Sequence, residues 1–264
     1  YILERDVIDY DPQKSRFVSR HGWSLVLRSL PYASRNEANY IADYWQDFED
    51  ALYAEDGYNE KGKHYTDYID LTSFADQWIF YELNTEVSMS SSIYYYKQSD
   101  VTGDGLLHAC YPWDMEHALR STNHITAGWI SRPGFGRGSL EEIWVVFYEH
   151  EDFARAVEKE WKEKFLPALN ASVAEGQISD EQGLGSLDWY EQTYAASGLL
   201  NQSRWADCSY QAKVDKIRDT YSRRKDFMTK ELSLYGTDYT WFFEEDGQLF
   251  GMTEDGELEE IKEE

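Results

Sequence analysis

The chain has 264 residues, 42% hydrophobic and 16% aromatic, too much apolar and ring surface for a disordered polymer and enough for a sizeable core. Fifty acidic against 25 basic residues leave a formal charge of −25, which repels phosphate backbones and anionic lipid headgroups and so excludes nucleic acid as a general surface partner. No apolar run approaches the ~20 residues needed to span a bilayer. Cys110 and Cys208 form no CxxC pair or Cys/His cluster, so a structural zinc site is not expected; the two could form one disulfide, and two free buried thiols are the preferred reading.

Residues 1–9 and 16–28 carry short apolar runs split by the turn-rich 9–13, which predicts a pair of strands. The chain opens on Tyr1-Ile2-Leu3-Glu4, inside a strand-like run with no initiator Met or signal peptide, which reads as a fragment or a processed product. Ser34-Arg35-Asn36-Glu37 has capping-box spacing. Ile41, Trp45, Phe48 and Leu52 follow on one helical face, predicting about five turns closed by Gly57. Asp70 is placed to cap a second helix containing Phe74, Trp78, Ile79 and Leu83 and ending near Asn84.

Residues 88–92 read as a polar loop. Strand-like 93–97 and 106–110 flank the turn 100–105, predicting a hairpin that delivers the chain to Trp113 and Asp114. After a Gly/Pro/Arg loop at 132–139 the pattern turns helical: Phe153, Val157, Trp161 and Phe165 mark one helix, 187–200 a second, and Val214, Ile217 and Tyr221 a third. From 239 on, Asp246-Gly247 and Asp255-Gly256 predict a small β-meander fraying into the acidic end 259–264.

Four patterns bear on chemistry. Asp100-x-Thr102-x-Asp104-Gly105 is the first half of a calcium loop, but Tyr111 stands where the bidentate carboxylate is needed, so a hairpin turn is expected. Gly134-x-Gly136-x-Gly138 with Arg132 and Arg137 offers backbone amides to an anion, although no strong strand leads into it, and a surface loop is the plainer reading. The histidines fit no zinc spacing, and no Ser or Cys sits in a nucleophile elbow. Trp113-Asp114-Met115-Glu116 places two carboxylates at i and i+2 just past a strand, where an extended backbone would aim both at one Mg²⁺ or Mn²⁺, with Trp113 as apolar anchor. On these residues alone an exposed acidic turn and a metal site both stand open.

An ordered set of segments goes further. Tyr1-Ile2-Leu3-Glu4, Leu25-Val26-Leu27-Arg28-Ser29, Tyr40-Ile41-x-x-Tyr44, Phe48-Glu49-Asp50-Ala51-Leu52-Tyr53 and Tyr68-Ile69-Asp70-Leu71-x-Ser73-Phe74 come first. Glu82-Leu83, Tyr94-Tyr95-Tyr96-Lys97, Pro112-Trp113-Asp114 and Asn201-x-x-Arg204-Trp205 follow. Over residues 1–235 this series resembles the spore-coat protein H (CotH) kinase family, with 236–264 as a β-meander and acidic tail beyond it.

The resemblance implies an α+β, atypical protein-kinase-like C-lobe, mostly helical with short β-hairpins. It implies ATP as phosphoryl donor, Mg²⁺ or Mn²⁺ as cofactor, and Ser/Thr of a bacterial coat or secreted protein as acceptor, in an extracellular or spore-coat setting. Asp114 then corresponds to the metal-binding aspartate, and Glu116 stands where the family has Asp or Asn. The family's Asn-x-Asp, whose Asp acts as base, is met here by Asn84-Thr85-Glu86, which makes Glu86 the candidate base; in a shifted alignment Ser88 takes that place and cannot accept the proton. The family carries further kinase-like structure before the Tyr-Ile-Leu-Glu strand, including the basic residues for ATP phosphates, so the chain alone is expected to be weakly active or inactive. Two other readings remain: a pseudokinase or scaffold of the same family, and an aromatic-rich module binding carbohydrate or peptide.

Overall fold

The computed structural model describes residues 1–5, 15–30, 32–86, 93–110, 112–119, 129–131, 142–174, 186–205, 209–232, 239–245, 248–253 and 257–261. Three strands open the chain: β1 (Ile2–Arg5), β2 (Arg16–Val18) and β3 (Ser24–Leu27). Helix α1 (Arg35–Leu52) begins as its capping box demands. The Ser34 amide donates to the Glu37 carboxylate at 2.8 Å while the Glu37 amide donates back to the Ser34 hydroxyl at 3.3 Å. Ile41, Trp45, Phe48 and Leu52 are fully buried, as their spacing predicts. The helix stops at a Tyr53 cap whose amide turns back onto Glu49 and Ala51, so Gly57 does not end it. Gly57, at φ +76°, serves the following turn instead.

Helix α2 (Leu71–Leu83) starts at Asp70, whose carboxylate accepts the Ser73 amide at 2.7 Å. The same cap is tied to the sheet. The Asp70 amide donates to the Leu107 carbonyl at 2.8 Å, and the Ser73 hydroxyl accepts the Ala109 amide at 3.0 Å. Strands β4 (Ile93–Lys97) and β5 (Leu107–Ala109) form the predicted hairpin and complete a five-stranded antiparallel sheet in the order β2-β3-β1-β4-β5. Leu3 on the central strand lies opposite Leu27 on one side and Tyr95 on the other.

The core sits between this sheet and the helices. Phe74 stacks on Tyr95 at 5.4 Å, Trp45 meets Tyr95 edge-on at 5.4 Å, and Trp23 lies 5.8 Å from Trp45. The hairpin turn uses its own carboxylates. Asp100 accepts the buried Lys97 ammonium at 2.6 Å, while Asp104 takes the Leu106 amide at 2.9 Å and faces His108 at 2.8 Å.

The second half is helical: α3 (Glu142–Glu149), α4 (Glu151–Glu160), a π-helical stretch Trp161–Phe165, α5 (Leu166–Val173), α6 (Leu187–Arg204) and α7 (Tyr210–Leu232). Phe153, Val157 and Trp161 are buried and Phe165 half-buried, along the predicted stripe. Helix α7 is locked to α2 by a fully buried ion pair, Arg224 to Glu82 at 2.6 Å. Glu82 also accepts the amides of Ile130 at 2.8 Å and Ser131 at 2.7 Å, so all its charge is met inside the protein.

Strands β6 (Tyr239–Glu245), β7 (Gln248–Thr253) and β8 (Leu258–Ile261) form the expected meander, paired through Ile261 and so extending into the acidic stretch expected to fray. The Asp-Gly turns between them, the loops 88–92 and 132–139, and Cys208 lie outside the described residues. Cys110 is a free, half-buried thiol. The class is α+β and helix-rich, with antiparallel sheets. Among the described residues no helix is long and apolar enough to cross a membrane.

Candidate functional site

The first part of the site is the end of α2. Asn84 closes the last turn by donating its side-chain amide to the Phe80 carbonyl at 2.8 Å. Thr85 then takes φ +51°, and the Glu86 amide returns to the Tyr81 carbonyl at 3.0 Å. This tight reversal buries Thr85 and Glu86 completely and leaves Asn84 nearly so.

The second part follows β5. Asp114 is exposed and left-handed, at φ 58° and ψ 49°, and opens a short 3₁₀ turn, Met115–His117. The extended backbone expected for residues 114–116 is therefore corrected: Asp114 is left-handed and a 3₁₀ turn follows it. Glu116 lies within this turn, and its side chain is outside the described set. Trp113 is corrected too. It is 59% exposed and touches Tyr94 edge-on at 5.6 Å, so it is not a buried anchor.

The two parts are stitched together. The Leu119 amide donates to the Asn84 carbonyl at 2.9 Å, and the Tyr81 hydroxyl reaches the Trp113 carbonyl at 3.5 Å. From the other side the Tyr221 hydroxyl of α7 donates to the Asn84 side-chain oxygen at 2.7 Å. Asn84 is thus the hub between α2, α7 and segment 112–119. Among the described residues, three non-glycine residues have positive φ: Thr85, Asp114 and Leu119. All three belong to these joined segments. Such conformations cost on the order of 1–3 kcal/mol each for residues that do not favour them, and they collect at functional sites.

Electrostatics links the two carboxylates that the sequence singles out. Burial pushes the Tyr81 hydroxyl up to about 12; the Trp113 carbonyl contact opposes this, and the charges of Glu86 and Asp114 reinforce it. Mg²⁺ takes only one or two protein carboxylates, filling its octahedron with water and phosphate oxygens, and of the two acids only Asp114 is exposed to such an ion. Among the described residues no group of three His, Cys, Asp or Glu side chains is placed to share a metal.

The sequence proposed Glu86 and Asp114 and gave no sign that Tyr81, Thr85 and Leu119 would lie at the same junction. Tyr81 lies one residue before the Glu82-Leu83 pair, in a helix whose aromatics read as core. Threonine and leucine give no signal for a left-handed backbone, which favours Gly, Asn and Asp. The glycine-rich 134–138 with Arg132 and Arg137, and Ser88, lie outside the described residues. Comparison with models of protein families, with curated proteins and with solved structures gives no match.

Proposed function

We propose that this chain carries the metal-binding part of a phosphoryl-transfer site, in an ATP-dependent Ser/Thr protein kinase of the atypical CotH type. The observation that supports it is the strained junction of 84–86 with 112–119, tied by the Leu119–Asn84 and Tyr81–Trp113 bonds, which joins the segment of Glu86 to that of Asp114. The two acids lie 28 residues apart in sequence. The meeting of their segments at three left-handed residues is not something core packing requires.

In this reading Asp114, exposed beside the junction, holds Mg²⁺ or Mn²⁺, and Glu116 holds the ion or one of its waters. The ion supplies neutralisation of charge on the β- and γ-phosphoryl oxygens. Asn84 fixes the distance between the two segments. Glu86 occupies the base position by its Asn84-x-Glu86 spacing. It is fully buried, so proton abstraction by it requires the acceptor hydroxyl to come within hydrogen-bond reach. The acceptor is a serine or threonine of a coat or secreted protein, and the strongly acidic surface keeps nucleic acid away.

The scaffold reading keeps the same architecture without turnover, and it draws on Glu86 standing in place of Asp. Incubation with γ-labelled ATP and Mn²⁺, followed by phosphoserine and phosphothreonine analysis of the chain and of added acceptor proteins, separates the two. Slow incorporation is expected, below the ~1–100 s⁻¹ of ordinary kinases, and at least tenfold lower in Asp114→Asn. Equal incorporation by the variant contradicts the proposed role of Asp114. No incorporation and no thermal shift with Mg-ATP favours the scaffold.

A further inference from the structure

Helix α6 forms an antiparallel hairpin with α7. Near one end Asp188 accepts from the Arg218 guanidinium at 2.6 Å, and near the other Gln202 Oε1 accepts the Tyr210 amide at 2.9 Å. Gly198 lets the two helices close up, since a Cβ there would stand 2.3 Å from the Tyr210 ring. Yet none of the 18 residues of α6 is buried. Tyr190, Tyr194, Leu199 and Leu200, with Trp205 just past the helix, are 43% to 71% exposed. Single apolar side chains scattered over a surface need no explanation, but a group of them on one helix marks an interaction surface.

Beside these residues, α6 and the start of α7 enclose a groove of about 640 Å³, with Ala195, Leu199 and Tyr210 in its lining. Its charge is one-sided. Asp188 and Glu191 line it and share the Arg218 guanidinium, at 2.6 and 3.4 Å. The Gln211 side-chain amide donates to Glu191 and to Asp215, at 2.9 Å each. Three carboxylates thus meet one cation and one neutral amide. The acids of α6 lie in its first half and the exposed leucines in its second. Glu191 and Leu199 are eight residues apart, about 12 Å along the helix.

We propose that the α6–α7 groove seats an amphipathic helix of a cationic partner protein, its apolar side chains over Ala195, Leu199 and Tyr210. Lys or Arg about two turns away would then face Glu191 and Asp215. The groove of a helical hairpin takes the side-chain ridges of a third helix, and a helix docked in this way presents apolar anchors at i, i+3 or i+4, and i+7. Charge selects the partner. A second copy of this chain brings another net charge of −25 and is repelled, whereas a basic helix meets carboxylates in excess. The inference is independent of the phosphoryl-transfer reading, and its test needs neither nucleotide nor metal.

The probe is a fluorescein-labelled synthetic Leu/Lys amphipathic helix, compared with a Leu/Glu helix of the same pattern. Binding to the full chain is followed by fluorescence anisotropy at low and high salt. Saturable binding of the Leu/Lys helix is expected, with the Leu/Glu helix at least tenfold weaker. The double variant Leu199→Ser with Leu200→Ser changes two exposed residues and is expected to weaken binding at least fivefold at either salt. Glu191→Gln with Asp215→Asn is expected to do so at low salt and less at high salt, where charge is screened. Val101→Ser, at an exposed position in the β4–β5 turn, should leave binding unchanged. Unchanged binding in the folded leucine variant overturns the proposal, as does equal binding of the Leu/Glu helix or no binding up to hundreds of micromolar. So does dimerisation in analytical ultracentrifugation that the leucine variant abolishes, since a second copy would then occupy the groove.

Discussion

The Leu119 amide donates to the Asn84 carbonyl at 2.9 Å, joining the turn after α2 to the segment that carries Asp114. Asn84 also spends its side chain on two elements at once, Phe80 of its own helix and Tyr221 of α7. Replacing Asn84 with Ala removes both side-chain bonds and leaves the half-buried Tyr221 hydroxyl without its acceptor. The expected loss is about 1–3 kcal/mol in urea unfolding, against about 0.5–1.5 kcal/mol for Tyr221→Phe, which removes only the bond to Asn84 Oδ1 and keeps the Asn84 Nδ2 bond to Phe80. Equal effects of the two changes would show that Asn84 is not the hub.

Thr85 is fully buried in a left-handed conformation, and its hydroxyl has no hydrogen-bond partner among the described residues. Thr85→Val keeps the shape and the backbone strain while deleting the hydroxyl. Relief of an unmet polar group is expected to stabilise by about 1 kcal/mol. A loss of that size by chemical denaturation would instead reveal a water or ligand that the hydroxyl serves.

Glu82 and Arg224 are both fully enclosed, and burial holds the guanidinium below its ordinary range while Glu82 opposes that shift. Breaking either partner leaves an uncompensated charge inside. Arg224→Met is expected to cost about 3–5 kcal/mol, and the double variant Glu82→Leu with Arg224→Met less than the sum of the single changes. Additive losses in thermal or urea unfolding would mean that the two groups do not act as a pair.

Asp100 bonds to the Lys97 ammonium and to the Tyr40 hydroxyl, in that order of effect, and both hold its carboxyl below the usual carboxylate range. A depressed acid stabilises the fold above its unfolded-state value, and that contribution disappears as pH falls through its folded-state value. Asp100→Asn is therefore expected to lower Tm at pH 7 by a few degrees at most, since the carboxylate is largely exposed. The gap should close progressively below pH ~4. A gap that persists unchanged at pH 2 would assign the effect to packing rather than charge.

Much of the fold was legible because local signals and burial agree. The Ser34 capping box, the Asp70 cap, the stripe of Ile41, Trp45, Phe48 and Leu52, and the 93–110 hairpin all stand where spacing places them. Gly57 misled because Tyr53 closes α1 with its own backbone before the glycine is reached. At the candidate site, the backbone geometry was not legible. Asp114 drew notice by its place past the hairpin and Glu86 only through the family resemblance, while threonine and leucine give no signal for the left-handed backbone at Thr85 and Leu119. The abundance of rings admitted a carbohydrate- or peptide-binding face; Trp23, Trp45, Trp78, Trp144 and Trp161 are instead packed inside.

Trp113 is exposed and adjacent to Asp114, which makes terbium luminescence the most direct test of a cation site there. Tb³⁺ stands in for the hard divalent ion, and energy transfer from an indole reports only ions bound close to it. Excitation of the indole is expected to give sensitised Tb³⁺ emission that Mn²⁺ competes away. That emission should fall at least tenfold in both Asp114→Asn and Trp113→Leu. Full emission retained in Asp114→Asn, with loss in Trp113→Leu, would place the ion beside the indole without the aspartate and contradict the metal role assigned to Asp114.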